Sequence, residues 1–356
     1  MIKIVHTADL HLDTAFSAVS PEQAVQRRRE QRQALALLAK ECSGCDLVLL
    51  AGDLFDSARV YQDTIDALKV FFSAIDAEVF IAPGNHDFVA SGSPYLTENW
   101  GNNVHIFTKS EIECVHLEAL HCDVYGAGFT SAEAPNLLAG FRVGDPEALN
   151  LMVLHGDLQP NSPYDPITPE DIAFSGLDYL ALGHIHTGFV KRCGQTTCAM
   201  PGCLMGRGFD ECGQKGVLRV TLEKNACQTD FIPIPTRRYE ILSVEAGDDP
   251  LAAIRAALPA QTQEDCYRIL LTGEAEHPDT DALESLLAPL FYSISVRDRT
   301  YPKQALWAAS GEDTLRGHLL HELKAQYDTA DEADRRTIAL AARLVTNLMD
   351  GREVGI

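Results

Sequence analysis

Six short aliphatic segments, each ending in polar or small residues, constrain the fold of this chain more than any other sequence feature. The segments are IKIVHTADLH at the start, DLVLLAGDLFD at 46–56, EVFIAPGNHD at 78–87, CDVYGAGF at 122–129, LMVLHGD at 151–157 and LDYLALGHIH at 177–186. Uninterrupted apolar runs of this length are typical of strands that are buried on both faces. The chain is therefore expected to contain a sheet that other elements cover on each side.

Helical patterns separate the first three segments, at about 21–41 and 60–76, where apolar residues recur at spacings of three and four. The order strand, helix, strand, helix, strand predicts a layered α/β fold. Further along the chain, Asp249 and Asp279 are suited to begin helices, and Pro250 suits a first helical turn.

The pattern changes in the second half of the chain. From about 187 to 235, short strands alternate with Gly-rich turns, and the prolines of IPIPTRR at 232–238 are typical of a boundary. We predict a first domain at 1–235, a small α+β domain at 236–300 and a helical tail at 301–356.

The composition is that of an ordinary globular protein, with 46% hydrophobic and 22% charged residues. The first residues run directly into a strand pattern without the features of a signal peptide, and no apolar run approaches the ~20 residues that span a bilayer. We therefore expect a cytoplasmic protein without a membrane segment. Ten cysteines are then expected to be reduced thiols, since neither Cys42 with Cys45 nor the regular spacing of Cys193, Cys198 and Cys203 completes a zinc motif.

The net charge of −22 argues against a protein that coats nucleic acid without sequence preference, because such proteins are normally basic. The charge does not exclude a nuclease. Carboxylates that hold divalent cations are counted as negative, and phosphate contacts need only a local basic patch. Arg27, Arg28 and Arg29 form one basic cluster, which lies on a helical pattern and is expected to be a solvated face.

Side chains that bind metals follow five of the six strand patterns, at the point where each strand ends. They are Asp9, His11, Asp53, Asn85, His155, His184 and His186. In layered α/β folds, ligands gather at the carboxyl ends of strands, so these residues are expected on one rim. Taken singly, an Asp or Asn here begins a turn and a His fills the core. Five such blocks in this order favour a shared site.

His184 and His186 lie two residues apart, so strand alternation places both side chains on one side of the sheet. The pair alone does not decide between one ion, two ions and none. Carboxylate, imidazole and amide ligands without a thiolate suit manganese, iron, zinc, nickel or magnesium. Seven ligands exceed one tetrahedral site and fit two ions that share a carboxylate. Two ions about 3.5–4 Å apart activate a bridging water and stabilise the oxygens of a displacement at phosphorus.

The blocks DxH, GDxxD, GNHD, HGD and GHxH resemble those of the calcineurin-like metallophosphoesterases. Their form in HTADLHLD, AGDLFD and APGNHD, with DYLALGHIH and PGCLMGRGFDECGQKG at 201–216, is similar to the SbcD/YhaO group of DNA repair exonucleases. The likeness spans 6–216, and the small α+β domain resembles the group's capping domain. The resemblance implies a four-layer α/β/β/α sandwich of two mixed sheets, which replaces the simpler α/β fold that the strand pattern alone indicates.

The resemblance also implies a role for each site residue. One ion would be held by Asp9, His11, Asp53 and His186, and the other by Asp53, Asn85, His155 and His184, with Asp53 bridging. His86 would not be a ligand. It would face the phosphate, stabilise developing charge or protonate the leaving alkoxide, with Asp87 orienting it. Arg207 is the candidate phosphate contact, because its flanking glycines allow close backbone approach.

The leading hypothesis is a two-metal phosphodiesterase, with manganese as the expected ion, that hydrolyses DNA by attack of a metal-bridging hydroxide. It would be a repair exonuclease, with or without endonuclease activity. One alternative is a phosphoesterase for a small cyclic nucleotide or dinucleotide, which the acidic charge favours and the added C-terminal domain does not. Another is a scaffold subunit whose helical tail binds an ATPase of the SbcC or YhaN type. The resemblance further implies a homodimer.

Overall fold

The computed structural model describes residues 1–275, 278–301 and 306–349. The chain divides into two compact units, Met1–Glu240 and Ile241–Ile356. The three-part division with boundaries at 235 and 300 stays a prediction.

The strands are numbered β1 to β15 in chain order. In the first unit they are β1 Ile2–Thr7, β2 Leu47–Leu50, β3 Glu78–Ile81, β4 Val104–Ile106, β5 Glu113–Leu117, β6 Cys122–Gly126, β7 Leu149–His155, β8 Tyr179–Gly183, β9 Phe189–Cys193, β10 Thr196–Met200, β11 Gly216–Glu223 and β12 Ala226–Pro233. The last three are β13 Tyr239–Glu245, β14 Cys266–Thr272 and β15 Ser293–Asp298.

The helices are numbered in the same way. They are α1 Pro21–Glu41, α2 Gln62–Ser73, α3 Pro94–Thr97, α4 Pro169–Ser175, α5 Pro250–Ala257, α6 Thr280–Leu287, α7 Leu315–Thr329 and α8 Glu332–Met349. The start of α1 is fixed by a capping box, in which the Ser20 side chain accepts the Gln23 N–H and the Gln23 side chain accepts the Ser20 N–H. No helix in the described part of the chain is both long enough and apolar enough to cross a membrane.

Two mixed six-stranded sheets form the first unit. The strand order is β12-β11-β1-β2-β3-β4 in one sheet and β5-β6-β7-β8-β10-β9 in the other. Strands β1 to β4 are parallel, and β11 and β12 continue that sheet in antiparallel pairs. In the second sheet, β6, β7, β8 and β10 are parallel, and β5 and β9 pair antiparallel at its two edges. The carboxyl ends of several parallel strands therefore lie together in each sheet.

Alternation along the strands divides the first unit into four layers. Leu49 of β2 and Leu151 of β7 belong to one buried cluster, which fills the space between the sheets. Val48, the neighbour of Leu49, faces the other way and packs with α1 and α2. On the second sheet, Leu180 packs with Ile172 of α4. These layers confirm the predicted α/β/β/α sandwich and explain why the strand segments are apolar throughout.

The arginine cluster on α1 is not a solvated face along its whole length. Arg27 is fully buried, its Nη2 donates to the carbonyl oxygen of Gly206 at 2.7 Å, and its guanidinium lies over the rings of Phe16 and Tyr239. Arg29 is exposed. The predicted solvated face is wrong for Arg27, because successive residues fan around the helix axis and turn one of the three arginines inward.

The second unit contains a three-stranded sheet, β13-β14-β15, in which β14 and β15 are parallel. Its core includes Ile254 of α5 and Leu287 of α6, and α7 packs against α8. The predicted helix starts are confirmed. The Asp249 and Asp279 side chains each accept a backbone N–H at 3.0 Å in the first turn of α5 and α6.

Candidate metal centre

The seven residues predicted on one rim lie together in the first unit. Asp9 and His11 follow β1, Asp53 follows β2, Asn85 follows β3, His155 ends β7, and His184 and His186 follow β8. The side chains come from both sheets, so the centre forms where the carboxyl ends of the two sets of parallel strands meet.

Tight turns present several of these side chains. Asp9, His11, Asp53 and His184 all have positive φ angles, of 52°, 42°, 49° and 100°. Residues other than glycine adopt this backbone region rarely and at an energetic cost, and Asp and His are among those that tolerate it best. Backbone hydrogen bonds hold the turns, with the Asp9 N–H donating to the Gly52 carbonyl at 3.1 Å and the His11 N–H to the Asp53 carbonyl at 2.9 Å.

One group of ligand atoms gathers around His186. Its Nε2 lies 3.1 Å from Nε2 of His11 and 3.7 Å from Oδ1 of Asp9. Oδ2 of Asp53 lies 3.6 Å from Nε2 of His11. These are the four residues that the resemblance implied for one ion.

A second group gathers around His155. Its Nε2 lies 3.0 Å from Oδ1 of Asn85 and 3.3 Å from Nδ1 of His184, which is itself 3.2 Å from that amide oxygen. Oδ2 of Asp53 lies 3.5 Å from Nε2 of His155. A single carboxylate oxygen of Asp53 therefore stands next to both groups.

The pair His184 and His186 does not follow the strand geometry expected from its spacing. Strand β8 ends at Gly183, and His184 has a φ of 100°. Strand alternation therefore does not orient the two rings. His184 turns toward Asn85 and His155, whereas His186 turns toward His11.

Hydrogen bonds on the far side of three imidazole rings determine which nitrogen each ring presents. The Nδ1–H of His11 donates to Oδ1 of Asp56 at 3.1 Å, and that of His186 donates to Oε1 of Glu211 at 2.7 Å. The Nδ1–H of His155 donates to the carbonyl oxygen of Ala51 at 3.0 Å. Each ring then directs an unprotonated Nε2 into the centre. Nitrogen lone pairs and carboxylate or amide oxygens face one another there, and this donor set fits divalent cations.

The pKa shifts agree with this arrangement. Burial is the main cause that lowers the pKa of His11 and of His184, in each case to about 4. Both rings are therefore neutral at pH 7, which is the form that binds metals. Burial and the nearby Asp53 carboxylate raise the pKa of Asp9 well above its ordinary value. A cation between the two carboxylates would relieve this repulsion.

Among the described residues, the sets of three ionisable side chains whose atoms could hold a metal all fall in this centre. They are Asp9 with His11 and His186, His11 with Asp53 and His86, and Asp9 with Asp53 and His155. No cysteine belongs to any of them. The cysteines that the structure describes are free thiols, which agrees with the prediction from sequence.

His86 lies beside the centre and is exposed to solvent. Its ring stands edge-on to the ring of His11, with 4.8 Å between the centroids. Its Nδ1–H donates to the carbonyl oxygen of Asp56 at 3.1 Å, and its backbone N–H donates to Oδ1 of Asp53 at 3.0 Å. The ring is thus fixed beside the candidate ligands while its Nε2 stays available.

The predicted role of Asp87 requires a correction. Within the described ranges, no hydrogen bond joins its carboxylate to the His86 ring. The buried carboxylate instead accepts the backbone N–H of Gly84 at 2.7 Å, the backbone N–H of Phe55 at 3.1 Å and the hydroxyl of Tyr95 at 2.5 Å. Asp87 therefore ties together the loops after β2 and β3, because its side chain turns inward from a tight turn.

Glu211 is the site residue that the sequence reasoning missed. Its buried carboxylate accepts the Nδ1–H of His186 and also the backbone N–H of Arg207, each at 2.7 Å. Despite burial, the hydrogen bond from His186 and the guanidinium of Arg207, which also donates to this carboxylate, hold the pKa of Glu211 well below its ordinary range. Glu211 lies in the segment PGCLMGRGFDECGQKG, which the family resemblance had singled out, but nothing in the residue spacing distinguished it from the other acidic residues.

The Arg207 guanidinium is tied to two carboxylates of the centre, and its predicted phosphate contact stays a prediction. Its Nη2 donates to Oε1 of Glu211 at 2.7 Å, and its Nη1 donates to Oδ1 of Asp56 at 2.9 Å. Those carboxylates in turn bind the rings of His186 and His11. The guanidinium therefore bridges the two carboxylates that orient the candidate ligands, and its charge is already balanced.

Three comparisons place this chain among known proteins. The family model for calcineurin-like phosphoesterases matches residues 2–188. The chain is 30% identical over 303 residues to YhaO of Bacillus subtilis (strain 168), an uncharacterized metallophosphoesterase, with 77% of this chain and 72% of that protein covered.

Solved structures also resemble the chain at low sequence identity. A dimetal phosphatase from Danio rerio has a TM-score of 0.43 and 11% identity, covering 64% of this chain and 98% of its own. The protein TT1561 of Thermus thermophilus has a TM-score of 0.39 and 11% identity, covering 65% of this chain and 98% of its own. On the family match and the relationship to YhaO, the chain belongs to the calcineurin-like phosphoesterases, which are metal-dependent hydrolases of phosphoester bonds.

Proposed function

We propose that this protein binds two divalent metal ions and hydrolyses phosphodiester bonds in DNA. The observation that carries the metal part is the position of Asp53 Oδ2, 3.6 Å from Nε2 of His11 and 3.5 Å from Nε2 of His155. A shared carboxylate between two ligand groups is what a two-ion site requires. We propose manganese as the ion; oxygen and imidazole nitrogen ligands without a thiolate suit it, as they also suit iron, zinc, nickel and magnesium.

The ligand sets follow the two groups of atoms. Asp9, His11, Asp53 and His186 would hold one ion, and Asp53, Asn85, His155 and His184 the other. When bound, the ions supply Lewis acidity to the phosphoryl group and activate the attacking water.

The residues around the ligands contribute orientation and proton transfer. Because the Nδ1–H of His86 is bound to the Asp56 carbonyl, its Nε2 is the atom that meets substrate. There it stabilises charge on the phosphate or delivers a proton to the leaving alkoxide. Glu211 and Asp56, joined by Arg207, hold His186 and His11 in place. Asp87 has an indirect role, because its carboxylate holds the loop from which His86 projects.

The choice of DNA rests on two observations. The motif blocks have the form found in the SbcD/YhaO group of DNA repair exonucleases, and this form leads us to propose exonuclease activity, with or without endonuclease activity. In addition, a separate compact unit, Ile241–Ile356, follows the catalytic one. An added unit favours a large substrate over a small one.

A small phosphodiester, such as a cyclic nucleotide or dinucleotide, is the second candidate substrate. The net charge of −22 favours it, since an acidic protein repels a polyanion at long range. A small substrate carries only one or two phosphate charges, so it is repelled less.

Incubation of the purified protein with Mn²⁺ and end-labelled single-stranded and duplex DNA tests the proposal, with a cyclic dinucleotide in parallel. We expect DNA cleavage that EDTA abolishes. The matched control is Asp53→Asn, which must lose the activity, since a contaminating nuclease would be unaffected. Turnover of the small substrate without cleavage of either DNA would reject DNA and leave a small-molecule phosphodiesterase.

We also propose that the protein forms a homodimer and that α7 and α8 dock an ATPase of the SbcC or YhaN type. Leu315 on α7 and Leu340 and Leu348 on α8 are exposed apolar side chains that such a partner would cover. Truncation after residue 300 should abolish co-purification of a co-expressed ATPase. Retention at full strength would reject α7 and α8 as the docking element, and light scattering on the full chain decides the oligomeric state.

A further inference from the structure

A cavity of about 590 Å³ opens directly beside the candidate metal centre, with His186 in its wall. Two pairs of residues on neighbouring strands form much of the remaining cavity wall. Phe189 of β9 lies opposite Met200 of β10 at the edge of one sheet, and Leu218 of β11 lies opposite Phe231 of β12 at the edge of the other. Directly opposite residues present their side chains on the same face, so each sheet contributes an apolar pair to the cavity wall.

Part of this apolar surface is open to solvent. Phe231 is 45% exposed and Val190 is 47% exposed, although both are large hydrophobic residues. An aromatic ring exposed in a cavity, rather than singly on a convex surface, is typical of a binding site. Aromatic rings are also the side chains on which proteins stack nucleobases.

The charges near the cavity differ from those of the chain as a whole. Lys215 lies in the wall, and over the described part of the chain its ammonium group has no hydrogen-bond or ion-pair partner. Lys191 adds a second cation, 5.0 Å from the centroid of the Phe189 ring. Asp210 is the carboxylate among the lining residues. The lining thus holds one acidic and one basic residue, so the strong acidity of the chain is not repeated in this wall.

We propose that this cavity is the nucleobase subsite of the enzyme. It receives the base of the nucleotide next to the scissile phosphate, which stacks on Phe231, while Lys215 contacts the following phosphate. The inference rests on the proposed function, because it requires a phosphodiester that carries nucleobases. The volume suits a nucleoside, and His186 in the wall is also a candidate metal ligand, so the base would lie next to the metal centre.

Phe231→Ala tests the subsite, and Phe174→Ala is the matched control, because Phe174 is 62% exposed on α4 and does not line the cavity. The first readout is KM for a single-stranded oligodeoxynucleotide and for a fully abasic strand of the same length and charge, both with Mn²⁺. The second is binding of thymidine 5′-monophosphate to the metal-free protein, followed by NMR. Lys215→Gln serves as a second variant that leaves the apolar wall intact.

We expect Phe231→Ala to raise KM for the oligonucleotide about five- to tenfold, which is the low end of the effect of one stacking ring. The variant should weaken mononucleotide binding by a similar factor and leave the abasic strand unaffected. Lys215→Gln should raise KM for both strands, because it removes a phosphate contact. Phe174→Ala should change nothing.

The outcomes separate the two proposals. Wild-type cleavage of DNA with an unchanged Phe231→Ala variant would overturn the subsite and leave the nuclease intact. An equal rise in KM on the abasic strand would also overturn it, because a base cannot then be the cause. Turnover of a cyclic dinucleotide alone, still sensitive to Phe231→Ala, would keep the subsite and reject DNA. Absence of turnover and of mononucleotide binding in the wild type would reject both.

Discussion

At the scale of single residues, the metal centre depends most on the Asp53 carboxylate, which lies within 3.6 Å of an imidazole nitrogen in each ligand group. Asp53→Asn removes the charge that both ions would share. We expect metal content to fall at both positions and activity to fall about a thousandfold or more. Metal analysis of the purified variant measures this. Asp76→Asn, an exposed surface change, is the control, and retention of two ions in Asp53→Asn would contradict the bridging role.

His86 is expected to act on the substrate and not on the metal. His86→Asn should keep two ions and lower kcat by about 10²- to 10⁴-fold, the range for loss of one positioned proton donor. Metal content must be measured together with kcat, because a His86 atom lies within 4.8 Å of ligand atoms of His11 and Asp53 and could itself bind the metal. If metal analysis finds one ion fewer in this variant, His86 is a ligand and the assignment is wrong.

Glu211 positions His186 through a 2.7 Å hydrogen bond. Glu211→Gln weakens this charge-assisted contact and its link to Arg207, so we expect metal affinity to fall about 10- to 100-fold, as for other partners of ligating histidines. Competition with a metal-binding dye measures the affinity. Glu41→Gln is the matched control, because Glu41 forms a 2.7 Å ion pair with Arg219 outside the centre. Equal affinity in the two variants would show that Glu211 does not support His186.

At the scale of elements, the loops after the strands pack so closely that two positions admit only glycine. A Cβ on Gly84 would lie 2.2 Å from Oδ1 of Asp53, and one on Gly52, where φ is 87°, would lie 2.2 Å from Nδ1 of His155. Neither neighbour is free to move, because each belongs to the candidate metal centre.

Gly84→Ala should therefore lower the free energy of unfolding by about 1–3 kcal/mol and displace Asp53. Chemical denaturation and metal stoichiometry measure the two effects. Gly144→Ala is the control, since its Cβ would meet only the hydroxyl of Tyr125, at 3.7 Å. Normal stability and full metal content in Gly84→Ala would show that the loop relaxes without cost.

Whole-molecule stability has a pH dependence that can be traced to His6. This ring joins the two sheets, with Nδ1 2.8 Å from the Tyr179 hydroxyl and Nε2 3.1 Å from the Leu182 carbonyl. Burial lowers its pKa to about 3, from 6.5 in the unfolded chain. The folded state thus binds fewer protons between these values, so the contribution of His6 is complete above pH 6.5 and is lost as the pH falls toward 3.

Between pH 6.5 and pH 4.5 this loss amounts to about 2–3 kcal/mol. His6→Gln should be less stable at pH 7 but should lose less stability than the wild type on acidification. Urea unfolding at both pH values measures the difference. Parallel slopes for wild type and His6→Gln would remove His6 as the source.

Sequence alone determined the main strands and helices and the candidate metal ligands, because the patterns that indicate them involve residues close together in the chain. Apolar runs marked the buried strands, Asp249 and Asp279 marked helix starts through local caps, and the polar residues after the strands had to meet at one rim. Family motifs supplied the second sheet, which periodicity could not reveal. Strand β11 pairs with β1 although the two are far apart in the chain, and no local pattern encodes such a partner.

The tertiary structure alone decided the surroundings of the centre. Glu211 and Arg207 became part of it only when the segment after β10 folded back onto His186, and Asp87 turned inward to hold a loop instead of the His86 ring. The two rings of GHIH separated because β8 ends before them. A sequence pattern constrains which side chains share a face, but hydrogen-bond partners depend on distances between segments that are remote in the chain, and only the packed fold sets those distances.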